Sequence, residues 1–242
     1  MKPKRRRAPT SPLERANSKT DEDFIADYLR PGSDESSWVT SWTHPRTGTE
    51  YSISLVRPDH LSQDDLTACF HLIEQTSRKD YENSAGKWQP LAKLKEMRSP
   101  ELRYILVKEK ESETIRGFTS LMPTYEEGQP VIYCYEIHLH PELQRANSTG
   151  LGSLLMGFHS TVAANLPPIT KVMLTCFLSN KRGLDFYKRL GFEKDDISPE
   201  PRKLRYGKIF TPDYVILSKP VRSKLVSETS APDGLKYEKA TS

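Results

Sequence analysis

Two glycines, Gly150 and Gly152, stand at the start of an amphipathic segment, and two polar residues, Gln144 and Arg145, precede them. Glycines between a loop and a helix let a ligand approach the backbone, and the first N–H groups of the helix point outward at the positive end of its dipole. Arg145 can add a cationic contact to the same anion. The pattern predicts a pyrophosphate site formed by Gly150, Leu151 and Gly152, although a simple tight turn gives the same motif.

A carboxylate, Glu136, follows the otherwise apolar segment 131–135. Burial would raise the pKa of Glu136 and make it a useful proton acceptor. The alternative is a structural glutamate paired with a neighbouring lysine or arginine. Tyr133 and Tyr135 could orient a substrate or a water through their hydroxyls, or could simply be core aromatics of a strand. Strict alternation would put Glu136 on the face opposite both tyrosines, unless a bulge changes which side chains converge.

A third motif begins at Asn180, which is predicted to cap a helix carrying Phe186 and Tyr187; the helix ends at Gly191, before Phe192. Together with the glycine loop, this motif resembles the Gcn5-related N-acetyltransferase superfamily. In that superfamily a (Gln/Arg)-x-x-Gly-x-(Gly/Ala) loop binds the pyrophosphate of acetyl-CoA. A later Asn and a Phe-Tyr-x-x-x-Gly-Phe segment close the cofactor side.

The resemblance implies acetyl-CoA as cosubstrate, with no metal. Backbone groups beyond Glu136 would bind the pantetheine amides like an added strand. One departure concerns Gln144 and Arg145, which stand five to six residues before Gly150, where the family has three. The cofactor residues implied are Ile137, His138, Leu139, Gln144, Arg145, Gly150, Leu151, Gly152, Asn180 and Tyr187.

A closer resemblance spans roughly residues 60–218. Val131–Glu136 with its Tyr-Cys-Tyr-Glu tetrad, Lys171–Phe177, and Phe192 followed by Asp195–Pro199 are similar to the histone-specific N-terminal acetyltransferases (NatD). This likeness implies acetyl transfer to the N-terminal serine of histone tails that begin Ser-Gly-Arg-Gly. Glu136 would be the base, directly or through a water, assisted by Tyr133 and Tyr135. The substrate-binding residues implied are Trp88, Tyr81, Glu126, Glu127, Thr175 and Tyr214.

Two other functions stay open. A member of the same superfamily could acetylate lysine side chains or a polyamine. A catalytically silent domain of this fold could bind chromatin or RNA through the basic run Lys2–Arg7.

The positions of these motifs depend on a predicted alternation of strands and helices. Its order is typical of a mixed α/β fold with a central, largely antiparallel sheet and flanking helices. The resemblance implies that this is the GNAT acyl-CoA N-acyltransferase fold. The predicted strands are 50–56, 102–107, 114–122, 131–139, 171–177 and 213–218, and the predicted helices begin after Ser62 and cover 90–97, 150–164 and 180–190.

Charge divides the chain unevenly. The net charge of +4 comes from the ends, since residues 1–20 carry +6, residues 219–242 carry +2, and residues 21–218 carry −4. An acidic body favours a cationic partner over nucleic acid. We expect a disordered basic tail over 1–22, a docking segment over 23–49, the acetyltransferase domain over 50–219 and a flexible tail over 220–242.

Composition narrows the class of protein. With 36% hydrophobic residues in 242, the chain can build one ordinary domain, and it has no apolar run long enough for a membrane span and no secretory signal. Its three cysteines predict reduced, buried thiols. His138 and His140 lack further ligands for a metal. We expect a monomer in the nucleus and cytoplasm that contacts nucleic acid, if at all, through its basic tail.

Overall fold

The structure, a computed structural model, describes residues 11–31, 38–144, 149–203, 205–207 and 209–221. Arg145 and the basic run Lys2–Arg7 lie outside the described residues. Within the described part of the chain, no helix is long and apolar enough to cross a membrane. The cysteines at 69, 134 and 176 are buried and unbridged, as expected.

A central sheet organises the described residues. Ten strands occur there: β1 Ser41–Thr43, β2 Glu50–Val56, β3 Arg103–Glu109, β4 Ile115–Glu126, β5 Gln129–Leu139, β6 Lys171–Phe177, β7 Glu193–Lys194, β8 Arg202–Lys203, β9 Ile209–Phe210 and β10 Tyr214–Pro220. Eight of them form one sheet in the order β1-β2-β3-β4-β5-β6-β10-β7, while β8 and β9 form a separate hairpin. Among the strands of the described residues, only β5 and β6 run parallel to each other. The predicted mixed, largely antiparallel sheet is confirmed.

Helices cover both faces of this sheet. They are α1 Pro12–Asn17, α2 Asp21–Phe24 with a π-helical continuation Ile25–Leu29, α3 Gln63–Asn83, α4 Pro90–Met97, α5 Pro141–Gln144, α6 Leu151–Asn165 and α7 Lys181–Arg189. The side chains of β3 show why both faces are buried. Tyr104 and Leu106 join the core under α3 and α4, whereas Ile105 and Val107 join the core under α6 and the N-terminal helices.

Strands β5 and β6 separate part-way along their length. Parallel pairing runs from Ile132 opposite Val172 to Cys134 opposite Leu174, and beyond that point β5 pairs with β4 alone. We call the opening the β5–β6 cleft. It leaves one edge of β5 beyond Cys134 without a strand partner among the described residues.

A β-bulge lies where this cleft begins. Ser120 of β4 pairs with Glu136, but the next residue, Leu121, pairs with Cys134, so Tyr135 is the extra residue. The bulge breaks the alternation of side chains along β5. Tyr135 and Glu136 are therefore both directed toward α4, where Tyr135 packs beside the helix and Glu136 contacts Lys93.

The expectation of a disordered tail over residues 1–22 is wrong for residues 11–22. Ser11 and Glu14 form a capping box that starts α1, and Leu13 and Ala16 are at most 2% exposed. The segment is held by polar contacts as well as apolar ones, because the buried guanidinium of Arg103 donates to Asp21 and to backbone carbonyls of this segment. Few apolar residues are needed to dock so short a segment on an existing sheet.

Candidate active site

The start of α6 lies beside the end of β5. Gly150 precedes the helix with φ 82°, in the left-handed region that favours glycine. A Cβ atom on Gly152 would lie 3.2 Å from the ring of Phe186 in α7 and 3.8 Å from Leu139. The first N–H groups of α6, at Leu151 and Gly152, thus sit where β5, α6 and α7 converge, which is the arrangement an anion site needs.

The other predicted cofactor residues border this point. Gln144 donates to the carbonyl of Leu139 at 2.5 Å and also contacts Arg182 of α7, so its amide is not directed at the glycine loop. Asn180 caps α7 by accepting from the N–H of Gly183 at 2.8 Å. Burial raises the pKa of Tyr187 well above its usual value, so its hydroxyl keeps its proton.

Glu136 occupies the centre of a buried ionic cluster. Its Oε1 accepts from Nζ of Lys93 at 2.8 Å, and its Oε2 lies 2.5 Å from Nε2 of His138. The Lys93 ammonium also donates to Glu96 at 2.8 Å and lies 5.1 Å from the ring centre of Tyr81. The side chains of Lys93, Glu136 and His138 are each no more than 9% exposed.

The pKa of Glu136 moves opposite to our expectation. Burial alone would raise it, but the charges and hydrogen bonds of Lys93 and His138 outweigh burial and lower the pKa to about 2. Burial alone would lower the pKa of the Lys93 ammonium. The neighbouring negative charges, of which Glu136 has the largest effect, instead raise that pKa above its usual value. The pairing with a lysine, left open from the sequence, is therefore present, and Glu136 is charged in this structure.

The two tyrosines of the tetrad lie together where the pairing of β5 with β6 ends. Their ring centres are 5.3 Å apart, and the hydroxyl of Tyr133 lies 2.6 Å from that of Thr175 on β6. Burial raises the pKa of Tyr133 to about 12, and burial also raises that of Tyr135. The negative charge of Glu126 raises the pKa values of both tyrosines further, so this carboxylate lies near the two hydroxyls. Glu127 lies in the exposed β4–β5 turn, with φ 46°.

The remaining predicted substrate residues line one cavity of about 370 Å³ between α3, α4 and β10. Trp88 lies 5.3 Å from the ring of Tyr81, which lies 4.8 Å from that of Phe177. Tyr214 and Lys93 also line this cavity. We call this space the aromatic cavity. Lys93 joins it to Glu136.

Comparison with known proteins identifies the family. Residues 63–192, more than half of the chain, match the acetyltransferase (GNAT) family. The chain belongs to that family. It is therefore an acetyl-CoA-dependent acetyltransferase, and the GNAT fold expected from the sequence is confirmed.

Three solved structures are similar to this chain. An acetyltransferase from Streptococcus agalactiae 2603 is 17% identical, with a TM-score of 0.50 over 70% of this chain and 98% of that one. Arabidopsis thaliana NAA60, solved with a bisubstrate analogue, is 10% identical, with a TM-score of 0.49 over 72% and 100%. The ribosomal-protein-S18-alanine N-acetyltransferase of Escherichia coli is 16% identical, with a TM-score of 0.45 over 76% and 99%.

The geometry of this GNAT fits acetyl-CoA. The first N–H groups of α6 can hold a pyrophosphate, and the free edge of β5 at Ile137 and His138 can accept the pantetheine amides as an added strand. When bound there, the cosubstrate supplies the thioester to be attacked. Among the described residues, no group of three or more His, Cys, Asp or Glu side chains is placed to hold a metal ion.

Lys93 and Glu96 of the ionic cluster, and Thr76 beside His138, were not predicted from the sequence. Lys93 and Met97 share the buried face of α4 at the spacing i, i+4, so a lysine at an apolar position was the available signal. Glu96 and Thr76 carried no comparable signal. His138 was expected to act through its backbone alone, but its ring contacts Glu136 and Thr76.

Proposed function

We propose that this GNAT acetylates the N-terminal α-amine of histone tails that begin Ser-Gly-Arg-Gly. The observation that carries the proposal is the aromatic cavity joined by Lys93 to the charged Glu136. Tyrosine and tryptophan faces attract an ammonium group. A cavity of about 370 Å³ is small, which suits a serine followed by glycine.

The protonation of the site favours an α-amine over a lysine side chain. A carboxylate with a pKa of about 2 is a weak proton acceptor. An α-amine with a pKa of ~8 is partly neutral at pH 7, whereas a lysine amine with a pKa of ~10.4 is almost wholly protonated. A weak proton acceptor is therefore sufficient for an α-amine and insufficient for a lysine amine.

Acidic groups around the site match a basic peptide. Glu126 lies near Tyr133 and Tyr135, and Asp213 and Glu96 line the aromatic cavity. A guanidinium at the third position of the substrate would gain a charge-assisted contact with Glu126. Direct transfer then follows, in which Glu136 accepts a proton from the substrate amine, directly or through a water, and the neutral amine attacks the thioester carbonyl.

The peptide preference is tested by turnover on matched substrates. We expect replacement of the arginine in Ser-Gly-Arg-Gly by alanine to lower kcat/KM by about tenfold or more, and Glu126→Gln to lower kcat/KM for the arginine peptide only. Equal kcat/KM for both peptides with the wild-type enzyme would refute the histone-tail assignment.

The cellular setting is part of the same proposal. A monomer acting in the nucleus and cytoplasm would use the basic run Lys2–Arg7 for import or for attraction to nucleic acid. Deleting residues 1–10 should leave turnover on free peptides unchanged. If deletion abolished turnover on free peptides, the basic run would have a catalytic role that we do not assign to it.

A further inference from the structure

A line of short contacts runs from helix α3 to Glu136. The hydroxyl of Thr76 lies 2.7 Å from the carbonyl oxygen of Leu72 and 2.6 Å from Nδ1 of His138. Nε2 of the same imidazole lies 2.5 Å from Oε2 of Glu136. All three distances are those of hydrogen bonds.

Counting hydrogens along this line gives a protonation state. Three contacts need three hydrogens, because two bare acceptor atoms at these distances would repel each other. The Thr76 hydroxyl supplies one hydrogen and a neutral imidazole supplies one. The third must be an added proton on His138 or on Glu136.

The charges around the pair place this proton on His138. Glu136 already accepts from the Lys93 ammonium through its other oxygen, which favours the ionised carboxylate. With His138 as an imidazolium, two cations (Lys93 and His138) face two anions (Glu136 and Glu96). Glu96, whose side chain is 42% exposed, lies at the edge of the cluster, so the charge on His138 can change without leaving an unpaired charge in the interior.

We propose that His138 is the residue that stores the proton of the substrate amine, which reaches it through Glu136. The inference rests on the proposed function for the identity of the amine, and on the contacts of Thr76, His138 and Glu136 for the storage site. Neither His138 nor Glu136 lines the aromatic cavity, whereas Lys93 does. His138 contacts Glu136, so it is a positioning and proton-holding residue that acts through the carboxylate.

Each proton of the substrate amine has a stated destination. In the competent enzyme His138 is neutral, and the ammonium of the substrate gives one proton to Glu136, which passes it to Nε2 of His138. The neutral amine forms its bond to the thioester carbonyl while the carbon–sulfur bond breaks. The second amine proton goes to the thiolate sulfur, and His138 later releases the stored proton to solvent.

The groups facing His138 in the described structure define what can tune it. Thr76 approaches from α3, the ring of Phe118 from β4 at 5.6 Å between centres, and Glu136 from its own strand. Lys93 and Glu96 of α4 act on it through Glu136. Thr76 is the polar residue among these that contacts the imidazole without contacting the carboxylate.

The first test observes the imidazole directly. In full-length protein labelled with ring-15N histidine, the signal of His138, assigned by its loss in His138→Gln, should show both nitrogens protonated at acidic pH and one at alkaline pH. The pH of that transition should coincide with the acidic limb of kcat/KM. A ring that keeps one neutral tautomer across the active pH range would overturn the proposal.

The second test separates storage from structure. His138→Gln should lower kcat by roughly 100-fold with little change in peptide KM, because a glutamine keeps a donor toward Glu136 but cannot take up a proton. His71→Gln, at an exposed histidine on α3, is the matched control and should leave kcat unchanged. A wild-type kcat and pH profile in His138→Gln would contradict the proposal.

A third pair of variants covers the case in which His138→Gln does not fold. Thr76→Val removes the acceptor for Nδ1 and should move the His138 transition to lower pH, while Thr76→Ser should leave it in place. An unmoved transition in Thr76→Val would refute the relay. Because this readout needs no acetyl acceptor, it remains decisive even if no peptide with a free α-amine is a substrate.

Discussion

Nζ of Lys93 lies 2.8 Å from Oε1 of Glu136, and neither side chain is more than 9% exposed. This contact joins the short helix α4 to the bulged part of β5. It connects the wall of the aromatic cavity to the carboxylate that we assign as proton acceptor. The activity of Glu136 should therefore depend on a residue 43 positions away in the sequence.

Replacing the carboxylate tests its role in proton transfer. Glu136→Gln preserves the size of the side chain but removes the acceptor, and we expect kcat to fall by about 10²- to 10⁴-fold. Glu111→Gln, at an exposed turn, serves as the control. Turnover measured by thiol release should separate the two variants, and wild-type kcat in Glu136→Gln would remove the residue from the mechanism.

Removing the ammonium tests the cause of the lowered pKa. In Lys93→Met the carboxylate loses its cation, so the pKa of Glu136 should rise from about 2, and the unpaired buried charge should cost about 3 kcal/mol of unfolding free energy. Adding Glu136→Gln should restore much of that stability in a double-mutant cycle. Additive losses measured by urea unfolding would show that the two side chains do not interact.

The buried Arg103 tests the docking of the N-terminal helices. Its guanidinium donates to Asp21 at 2.7 Å and lies 4.1 Å from the ring centre of Phe24, while burial lowers its pKa to about 10. We expect Arg103→Met to reduce the unfolding free energy by about 3 kcal/mol, because Asp21 is left buried beside it.

An exposed ion pair provides the control for that loss. Lys110 contacts Glu50 at 2.8 Å in solvent, so Lys110→Met should change stability by at most about 0.5 kcal/mol. Equal losses in the two variants, measured by urea unfolding, would contradict the assignment of Arg103 as the anchor of the N-terminal segment.

Beneath the bulge, His159 predicts a dependence of stability on pH. Its Nε2 lies 2.8 Å from the hydroxyl of Thr119, which donates to the carbonyl of Glu136, and burial lowers the pKa of His159 to about 3. An unfolded chain binds a proton at this residue near pH 6.5, while the folded chain does not. Stability should therefore fall as the pH is lowered from about 6.5 toward 3, by at most ~1.4 kcal/mol per pH unit.

The slope of stability against pH isolates this residue from other groups. In His159→Gln the unfolding free energy should change less between pH 6.5 and 4 than in the wild type. The difference in slope should correspond to at most one bound proton. Urea unfolding at several pH values measures it. Identical slopes would show that His159 titrates alike in the folded and unfolded chains.

Local patterns were sufficient for most of the fold. The alternation in Glu50–Val56 and the apolar run Lys171–Phe177 predict strands whose bounds the structure reproduces, and Ser62 caps α3 as expected. These features depend on neighbours in the sequence, as does the start of α6 after Gly150.

The site required information that local patterns do not hold. The bulge at Tyr135 arises from the register between β4 and β5, and it reverses the alternation that would separate Glu136 from the tyrosines. The lowered pKa of Glu136 results from Lys93, which only the tertiary fold brings near. Residues 11–22 were misjudged because their apolar content is low, while their docking depends on Arg103.

The position of the acetyl group on a peptide shows whether the enzyme acetylates an N-terminal α-amine or a lysine side chain. A peptide beginning Ser-Gly-Arg-Gly and carrying a lysine, with both amines free, is incubated with the enzyme and acetyl-CoA, and tandem mass spectrometry locates the modification. We expect acetylation of the serine α-amine, with the lysine unmodified. An acetyl group on the lysine, or a peptide left unmodified, would contradict it.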